Sequence, residues 1–475
     1  MYRRERIHPD GPTDPLCKEF TVQITLKFYV IELSKYVITI LMLLYTTLAV
    51  VCNVSKKKKL VSVFTSIQSG LMLLLLFLCF LDMTFVSGRE EYLYLFAFIT
   101  LFLFFMITIV SIIYEKSDRI LLNNMCLLSG MGLCIVSRLS FAKAFRQYII
   151  TLISFAICLA IPFLIDRLRF FRKLLWLYAA SGIIVLSIVL LTGRRTHGAF
   201  ITYTIKGFTF QPSEFVKIIF LFFLAALLYK YNSFKWILIS AVISGIYVMI
   251  LVLSKDLGSA LIFFVAYVMI VVMSTHNYLY LLSGLLGGAA ASIVAYRMFD
   301  HVKVRVVAFL DPWTYIDDQA YQITQSLFAI SSGGWFGNGL MQGRPSDIPF
   351  VDQDLVFSAV CEEFGLLFAI CLLVICLCCF CRMMILSASI ADKFYQTVVY
   401  GIGIMYIFQV FLTVGGGTKF IPLTGVTLPF ISSGGSSVMT TYIMFFIVQG
   451  IVIKSRNYEA RTERKTSELS SDKKV

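Results

Sequence analysis

The stretch "FQPSEFVKIIFLFFLAALL", residues 210–228, is a helix-forming segment that is almost wholly apolar beyond its first turn. Pro212 suits the first turn of a helix, and the Ser213 hydroxyl can accept hydrogen bonds from free backbone N–H groups. Glu214 lies where the helix dipole favours an anion. These features predict a capped helix that begins near residue 212 and continues as a membrane-spanning segment to about residue 229.

The same apolar character extends along the chain. Of 475 residues, 59% are hydrophobic and 14% are charged, against roughly 45–50% and about 25% in soluble domains. A helix that crosses a bilayer needs about 20 mostly apolar residues. The sequence therefore predicts an all-α polytopic integral membrane protein. Thirteen runs fit this description: 28–52, 60–86, 92–114, 120–137, 148–165, 173–192, 214–229, 235–253, 257–275, 279–297, 353–379, 395–414 and 438–453.

Three other classes of feature are not predicted. The first twenty residues lack the short apolar core and small-residue cleavage site of a removable signal peptide. The twelve cysteines lie mostly inside apolar runs, such as "CLLVICLCCFC" at 371–381, so neither a disulfide framework nor a metal site is indicated. The net charge of +14 is distributed as expected for contact with a membrane surface, and no nucleic-acid binding is predicted.

The distribution of Lys and Arg sets the orientation, because positive residues favour cytoplasmic loops. The cationic tail after residue 453 places the C-terminus inside. Thirteen spans then place the N-terminus outside despite Arg3, Arg4 and Arg6, so either the first segment is re-entrant or these charges are tolerated. Counting backwards from the tail also places four cationic loops inside: 230–235, 166–173, 115–119 and 56–59.

Many cations are left on the outer side, close to helix ends. Some can snorkel to lipid phosphates, whereas others can converge on an anionic ligand, since ionisable groups at membrane depth are costly and usually functional. A lipid pyrophosphate would suit the second interpretation. The outer cations are Arg138, Lys143, Arg146, Arg194, Arg195, His197, Lys206, Lys255, Lys303, Arg305, Arg344 and Lys419.

Three charged pairs have two interpretations each. Glu214 and Lys217 share a helix face, where they form either a structural ion pair or part of a cavity. Lys255 and the adjacent Asp256 form either a solvated turn or a cation beside a cavity. Glu362 and Glu363 lie within an apolar segment, where buried acids need partners or protonation. We favour a structural role over a catalytic one, in which one of these two acids pairs with a cation from another helix.

Two segments are too rich in Gly and Pro to form continuous helices. They are "TKFIPLTGVTLPFISSGGSS" at 418–437 and "SSGGWFGNGLMQG" at 331–343. Non-helical backbone at membrane depth is tolerated only where protein buries it or a water-filled cavity receives it. Neither segment has the spacing of a Walker or Rossmann phosphate loop.

Five ordered motifs resemble the SEDS family, the FtsW/RodA/SpoVE proteins of bacterial cell-wall synthesis. They are "QPSEFVKI", "SKDLGSALIFF", "FLDPW…AYQITQSLFAISSGGWFGNGL", "DLVFSAVCEEFG" and "TKFIPLTGVTLPFISSGGSS". The resemblance implies a ten-helix core at 120–456, with 298–352 as a large extracytoplasmic loop. Residues 1–119 would supply about three accessory transmembrane helices, and the charged tail 457–475 is predicted to be disordered and cytoplasmic.

The activity implied by the resemblance is that of a peptidoglycan glycosyltransferase. Such a protein polymerises lipid II at the outer face of the bacterial cytoplasmic membrane, beside a class B penicillin-binding protein. The GlcNAc 4-hydroxyl of one chain attacks the anomeric carbon of the other and expels polyprenyl pyrophosphate. This reaction requires a general base and positive charge on the leaving group. A magnesium or manganese ion near the pyrophosphate is compatible with it, although no ligand cluster demands one.

The resemblance also singles out the loop "FLDPWTYIDDQAYQITQS" at 309–326. In most family members a catalytic aspartate lies three residues after the proline, where this chain has Tyr315. Tyrosine, with a pKa of about 10, is a poor carboxylate substitute. A one-residue shift assigns the general base to Asp317, flanked by Asp318. Asp311 precedes Pro312 and is interpreted as a turn residue.

Matching positions imply a set of residues that bind substrate in a cavity. We expect Asp317 to face that cavity, beside Arg138, Lys217 or Lys419. A second departure from the family is Ser433, where an aromatic residue is more common. The set comprises Arg138, Gln147, Glu214, Lys217, Lys255, Gln322, Gln325, Lys419 and Ser432, with Glu362 as a weaker candidate.

Two other functions fit the sequence. A flippase or transporter for the same lipid precursor would use the same cations but no general base. An inactive scaffold would recruit only the penicillin-binding protein. Tyr315 favours the scaffold, whereas Asp317 and Asp318 favour the enzyme. The sequence does not distinguish elongation, division and sporulation.

Overall fold

The computed structural model describes residues 15–167, 170–192, 194–196, 199–205, 208–231 and 233–472. The helices are α1 Pro15–Val54, α2 Lys58–Ser87, α3 Glu91–Ile113, α4 Arg119–Leu139, α5 Phe141–Cys158, α6 Ala160–Arg167, α7 Leu175–Thr192, α8 Pro212–Leu228, α9 Phe234–Leu253, α10 Leu257–Thr275, α11 Leu279–Met298, α12 Asp300–Leu310, α13 Tyr321–Gly333, α14 Val356–Ser389, α15 Lys393–Gly417 and α16 Gly435–Asp472. The strands are β1 Arg194–Thr196, β2 Ala199–Ile205 and β3 Phe208–Phe210.

The predicted membrane spans correspond to helices. Within the described residues, twelve helical segments are long and apolar enough to cross a membrane. One of them, Phe141–Arg167, joins α5 and α6. The remaining predicted span, 214–229, corresponds to α8, which is 17 residues long. The predicted helical membrane fold is therefore confirmed.

Helix α4 forms the centre of the bundle, and its membrane segment is enclosed on all sides. The first three helices pack around it: α2 and α3 contact α4, and α1 lies along α14 and α2. Gly130 of α4 permits close packing against α2 and α3, since a Cβ there would lie 2.8 Å from Leu76 and 3.1 Å from Leu103. The accessory helices are thus packed into the same bundle as the remaining helices.

Helix α1 spans the bundle from end to end. Near the beginning of its apolar part, Ile31–Val54, the Tyr36 ring lies 5.1 Å from the ring of Phe336, in the loop predicted to be outside. Near its end, Asn53 donates a hydrogen bond to the Cys378 carbonyl at 3.3 Å, toward the other end of α14. The alternative of a re-entrant first segment is therefore wrong. Arg3, Arg4 and Arg6 lie outside the described residues.

The segments predicted to be cytoplasmic meet at the other end of the bundle. Buried Asp118, which caps α4, pairs with Arg382 at 2.6 Å and with Arg456 at 3.3 Å. These contacts join the 115–119 loop to the last two turns of α14 and to the middle of α16. Arg172 pairs with Asp392 at the same end. The structure thus groups these loops as the charge pattern predicts.

Helix α14 is interrupted at Gly365, where φ is 87°. The freed carbonyls of Glu362 and Glu363 accept hydrogen bonds from the N–H groups of Asn338 and Gly339, at 2.9 and 3.0 Å. The freed N–H groups of Leu366 and Leu367 donate to the carbonyls of Gly334 and Trp335, at 2.9 and 3.1 Å. The glycine-rich segment therefore supplies hydrogen-bond partners to the backbone groups freed at the break, as buried backbone in a membrane requires.

Replacement of Gly337 by alanine should destabilise this junction. Gly337 has a φ of +79°, and its Cβ would lie 2.2 Å from the Glu363 carbonyl oxygen. Strained backbone costs about 1–3 kcal/mol, and overpacking a further ~1–3 kcal/mol. We expect a lower thermal unfolding midpoint in detergent. Gly245→Ala is the control, because nothing lies within 4 Å of its Cβ position. Equal midpoints for the two variants would contradict this description of the junction.

Two features differ from the sequence-based expectations. An antiparallel sheet of order β1-β2-β3 connects α7 to α8; its residues include the β-branched and aromatic types that favour strands. The tail predicted to be disordered instead continues α16 to Asp472. "EARTERK" is rich in helix-forming residues, and extending an existing helix avoids the cost of nucleation.

Candidate active-site cavity

A cavity of about 930 Å³ opens at the end of the bundle opposite Asp118. Its walls come from the beginnings of α5 and α8, the α9–α10 turn, α12, and the segment leading into α13. Residues 350–354 and the non-helical connection between α15 and α16 complete the lining. Every one of these segments was predicted to lie at the outer side. The volume is near the upper end of typical ligand pockets.

Hydrogen bonds to its backbone fix the non-helical conformation of the α15–α16 connection. Thr413 donates to the Val426 carbonyl at 2.9 Å, and Gln409 donates to the Thr427 carbonyl at 2.9 Å. The buried Ser432 hydroxyl accepts from the Leu428 N–H at 2.8 Å and donates to the Gln353 carbonyl. Ser432, predicted to bind substrate, therefore holds the turn and does not line the cavity.

Four aspartates line the cavity, and two of them are engaged by neighbouring groups. Asp256 caps α10 through the Ser259 N–H at 3.0 Å and accepts from Gln211 and Ser213, each at 3.2 Å. Asp352 pairs with Lys143 at 2.8 Å. The other two aspartates are Asp318 and Asp354.

The structure separates the two acids that were predicted as a catalytic pair. Both Asp317 and Asp318 are exposed, but only Asp318 is among the residues that line the cavity. The turn after Tyr315 explains the difference, since the Tyr315 carbonyl accepts from the N–H groups of Asp318 and Ala320, at 3.2 and 3.0 Å. Asp311 accepts from the Thr314 N–H at 3.3 Å, so its interpretation as a turn residue is confirmed.

Asp354 is the cavity acid that the sequence analysis missed. It lies two residues before α14, within what was predicted as the apolar start of a span. The residue is half-buried, and its Oδ1 atom is enclosed without a hydrogen-bond partner among the described residues. Burial raises the pKa of Asp354 to about 6, although the nearby Arg305 guanidinium acts in the opposite direction. A carboxyl group with such a pKa can gain and release a proton near neutral pH.

Four cations face the cavity. Lys143 is paired with Asp352, and Arg305 donates to the Thr424 carbonyl at 3.2 Å. Arg146 and Lys255 are exposed and form no ion pair with a described residue. Lys255 has a φ of 64°, which fixes the tight turn before α10. Two unpaired positive charges are thus available to an anionic ligand.

The predicted substrate-binding residues divide into two groups. Gln147, Lys255 and Gln322 line the cavity. Neither Gln325 nor Lys419 is among the lining residues, although both belong to segments that contribute to the wall. The predicted cations His197 and Lys206 lie outside the described residues, and the structure describes only the backbone of Arg194 and Arg195.

Two ion pairs hold residues that were predicted to bind substrate. Lys217 is 0% exposed, lies 2.8 Å from Glu214 and donates to Gln409 at 3.0 Å. Arg138 lies 2.7 Å from Glu363 and also donates to the Gly343 carbonyl at 3.1 Å. Arg138, Glu214 and Lys217 are not among the residues that line the cavity. Arg138 confirms instead the expectation that one of the two acids in α14 pairs with a cation from another helix.

The residues of the cavity do not fit a protein-held divalent cation. Within the described part of the chain, no three His, Cys, Asp or Glu side chains are grouped to hold a metal ion. Asp256 and Asp352 already have other partners, and the eleven cysteines whose side chains are described are free. We therefore derive no chemical step through a metal.

Comparisons with known proteins agree with this architecture. A family model of the FtsW/RodA/SpoVE cell cycle proteins matches residues 121–457. The chain is 32% identical over 368 residues to the peptidoglycan glycosyltransferase RodA of Mycobacterium tuberculosis, covering 70% of this chain and 78% of that protein.

Two solved structures share the fold. One is described as "Structural coordination of polymerization and crosslinking by a peptidoglycan synthase complex", with a TM-score of 0.61 and 24% identity over 71% of this chain and 98% of that one. The other is the rod shape determining protein RodA of Thermus thermophilus, with a TM-score of 0.53 and 22% identity over 71% and 97%. With the family match over 121–457, the chain belongs to the FtsW/RodA/SpoVE family of cell cycle proteins.

Proposed function

We propose that this chain is a peptidoglycan glycosyltransferase that polymerises lipid II at the outer face of the bacterial cytoplasmic membrane, in the 930 Å³ cavity. The observation that carries the proposal is that one cavity holds both residue types. Arg146 and Lys255 are cations without an ion-pair partner among the described residues, and Asp318 and Asp354 are carboxylates that no cation engages in an ion pair. Polymerisation requires both residue types, whereas transport or scaffolding requires no base.

The cations suit the leaving group. When the bond between the anomeric carbon and the pyrophosphate breaks, negative charge develops on the departing oxygen. A fixed positive charge stabilises that oxygen more in the transition state than in the ground state. Lys255 and Arg146 line the same cavity from different segments of its wall, and we assign both to the pyrophosphate.

The proposed partner is a class B penicillin-binding protein that cross-links the product. Its support is the first of the two solved structures, a peptidoglycan synthase complex in which polymerisation and crosslinking are coordinated. The role in elongation, division or sporulation follows from which partner binds this chain.

The test is polymer formation from labelled lipid II by the purified chain with its partner. Lys255→Asn removes the charge and keeps a residue type that tolerates positive φ. We expect polymer yield to fall by about 10²-fold, the usual loss on removing one transition-state donor. Lys303→Gln is the control, because Lys303 is a cation of α12 that pairs with Asp300 and does not line the cavity. Absence of polymer from the wild type, with partner binding intact, would support the scaffold function instead.

A further inference from the structure

We propose that Asp354 is the general base of the transfer reaction, in place of the carboxylate that the family usually carries at the position of Tyr315. This inference rests on the proposed function. Asp354 lies in the cavity wall immediately before α14, about 40 residues along the chain from the loop that the family motif indicates. The assignment comes from its environment and from the engagement of the competing acids.

Asp354 is half-buried and lines the cavity, so its carboxylate faces the cavity on one side. Its Oδ1 atom is enclosed and has no hydrogen-bond partner among the described residues, so we assign the contact with substrate to Oδ2. Its Oδ2 atom lies 4.0 Å from the position that a Cβ on Gly425 would occupy, and Arg305 Nη2 lies 3.9 Å from the same point. Both side chains therefore lie against the backbone of Gly425, whose φ of +75° favours glycine. Arg305 is anchored to the Thr424 carbonyl at 3.2 Å, so its charge is held beside Asp354 without an ion pair.

The other acids of the cavity are less suited to the role. Lys143 neutralises Asp352, and three donors occupy Asp256. Asp318 is exposed, whereas a base enclosed by protein keeps its proton affinity raised and excludes competing water. The charged groups that share the cavity with Asp354 are Arg305, Asp352 with Lys143, Asp256, Arg146, Lys255 and Asp318. Of these, Arg305 lowers the pKa of Asp354 and Asp352 raises it.

The proposed step balances as follows. The Asp354 carboxylate takes the proton of the attacking sugar hydroxyl as the hydroxyl oxygen bonds to the anomeric carbon of the second chain. The bond from that carbon to the pyrophosphate oxygen breaks, and its electron pair leaves with the pyrophosphate. Asp354 then releases its proton to water. Lys255 and Arg146 stabilise the pyrophosphate, and no oxidant or other reactant is consumed.

The pKa of Asp354 predicts a distinctive pH dependence. Only the carboxylate can act as the base, and burial raises its pKa to about 6. Polymerisation should therefore be fully supported above that pH, and kcat/KM should fall about tenfold per pH unit below it. Asp354→Asn, which has similar size and polarity but negligible proton affinity, should lower kcat by about 10²-fold or more.

The experiment uses the full chain with its partner and labelled lipid II. Asp354→Asn is compared with Asp347→Asn, an exposed acid of the same loop that does not line the cavity and should leave activity unchanged. The wild-type pH profile is an independent readout that requires no variant to fold. An active Asp354→Asn, or a wild-type rate that is flat from pH 7 to about 4.5, would overturn the assignment to Asp354 alone. A wild type that makes no polymer would overturn the proposed function and this inference with it.

Discussion

Replacement of Arg138 by alanine is expected to destabilise the protein by about 3–5 kcal/mol, the usual cost of removing one member of a buried ion pair. Glu363 is only 3% exposed, and Arg138 supplies its ionic contact at 2.7 Å. Without Arg138 the carboxylate is left uncompensated beside the break in α14. The measurement is the thermal unfolding midpoint of the purified protein in detergent.

A double variant separates the lost ion pair from simple loss of packing. Arg138→Met with Glu363→Gln removes both charges and keeps most of the volume, so it should recover most of the lost stability. Arg146→Ala is the matched control, because Arg146 is exposed on the neighbouring helix and forms no ion pair with a described residue. An Arg138→Ala midpoint equal to that of the control would show that the pair does not stabilise the fold.

Replacement of Lys217 by alanine should be comparably costly, again about 3–5 kcal/mol. Lys217 is fully buried, with Glu214 at 2.8 Å and Gln409 at 3.0 Å. Gln409 also holds the Thr427 carbonyl in the cavity wall, at 2.9 Å. Loss of Lys217 should therefore lower polymerisation indirectly, through displacement of that wall.

The variant Lys217→Met with Glu214→Gln distinguishes a structural role from a catalytic one. Removal of both charges should restore the unfolding midpoint. If the pair only supports the wall, polymer yield should recover together with stability. If stability recovers while polymer yield stays low, Glu214 or Lys217 acts on substrate directly. That result would contradict the position of the pair outside the cavity lining.

The helices were predictable because lipid imposes a strong pattern. A span requires a long apolar run, and each run, including 60–86 and 235–253, corresponds to a helix. The tail was misjudged because its composition was weighed as an isolated segment, whereas it extends the already formed α16. The break at Gly365 was not foreseen, because the hydrogen bonds that satisfy it come from residues 334–339.

The candidate site was only partly predictable for a similar reason. Lys255 and Gln322 belong to motifs that are local in sequence, and both line the cavity. Arg138 was also assigned from a matching position in the sequence. Its side chain instead pairs with Glu363, which is 225 residues away in the chain. Asp354 was overlooked because its environment is created by Arg305 and the 424–425 backbone, neither of which is near it in sequence.

The central claim is that the 930 Å³ cavity is where lipid II is polymerised, and blocking the cavity tests it most directly. Ser433 lines the cavity, and Ser346 is exposed on the same end of the bundle outside it. Each serine would be replaced by cysteine in a background in which Cys17 and Cys381 are serine. Polymer yield from labelled lipid II would then be measured before and after reaction with a bulky maleimide, with labelling verified by mass.

We predict that labelled Ser433→Cys loses at least about 90% of its polymer yield, because the adduct occupies the space that substrate requires. Labelled Ser346→Cys should keep its yield. Undiminished polymerisation by fully labelled Ser433→Cys would contradict the assignment of this cavity as the active site.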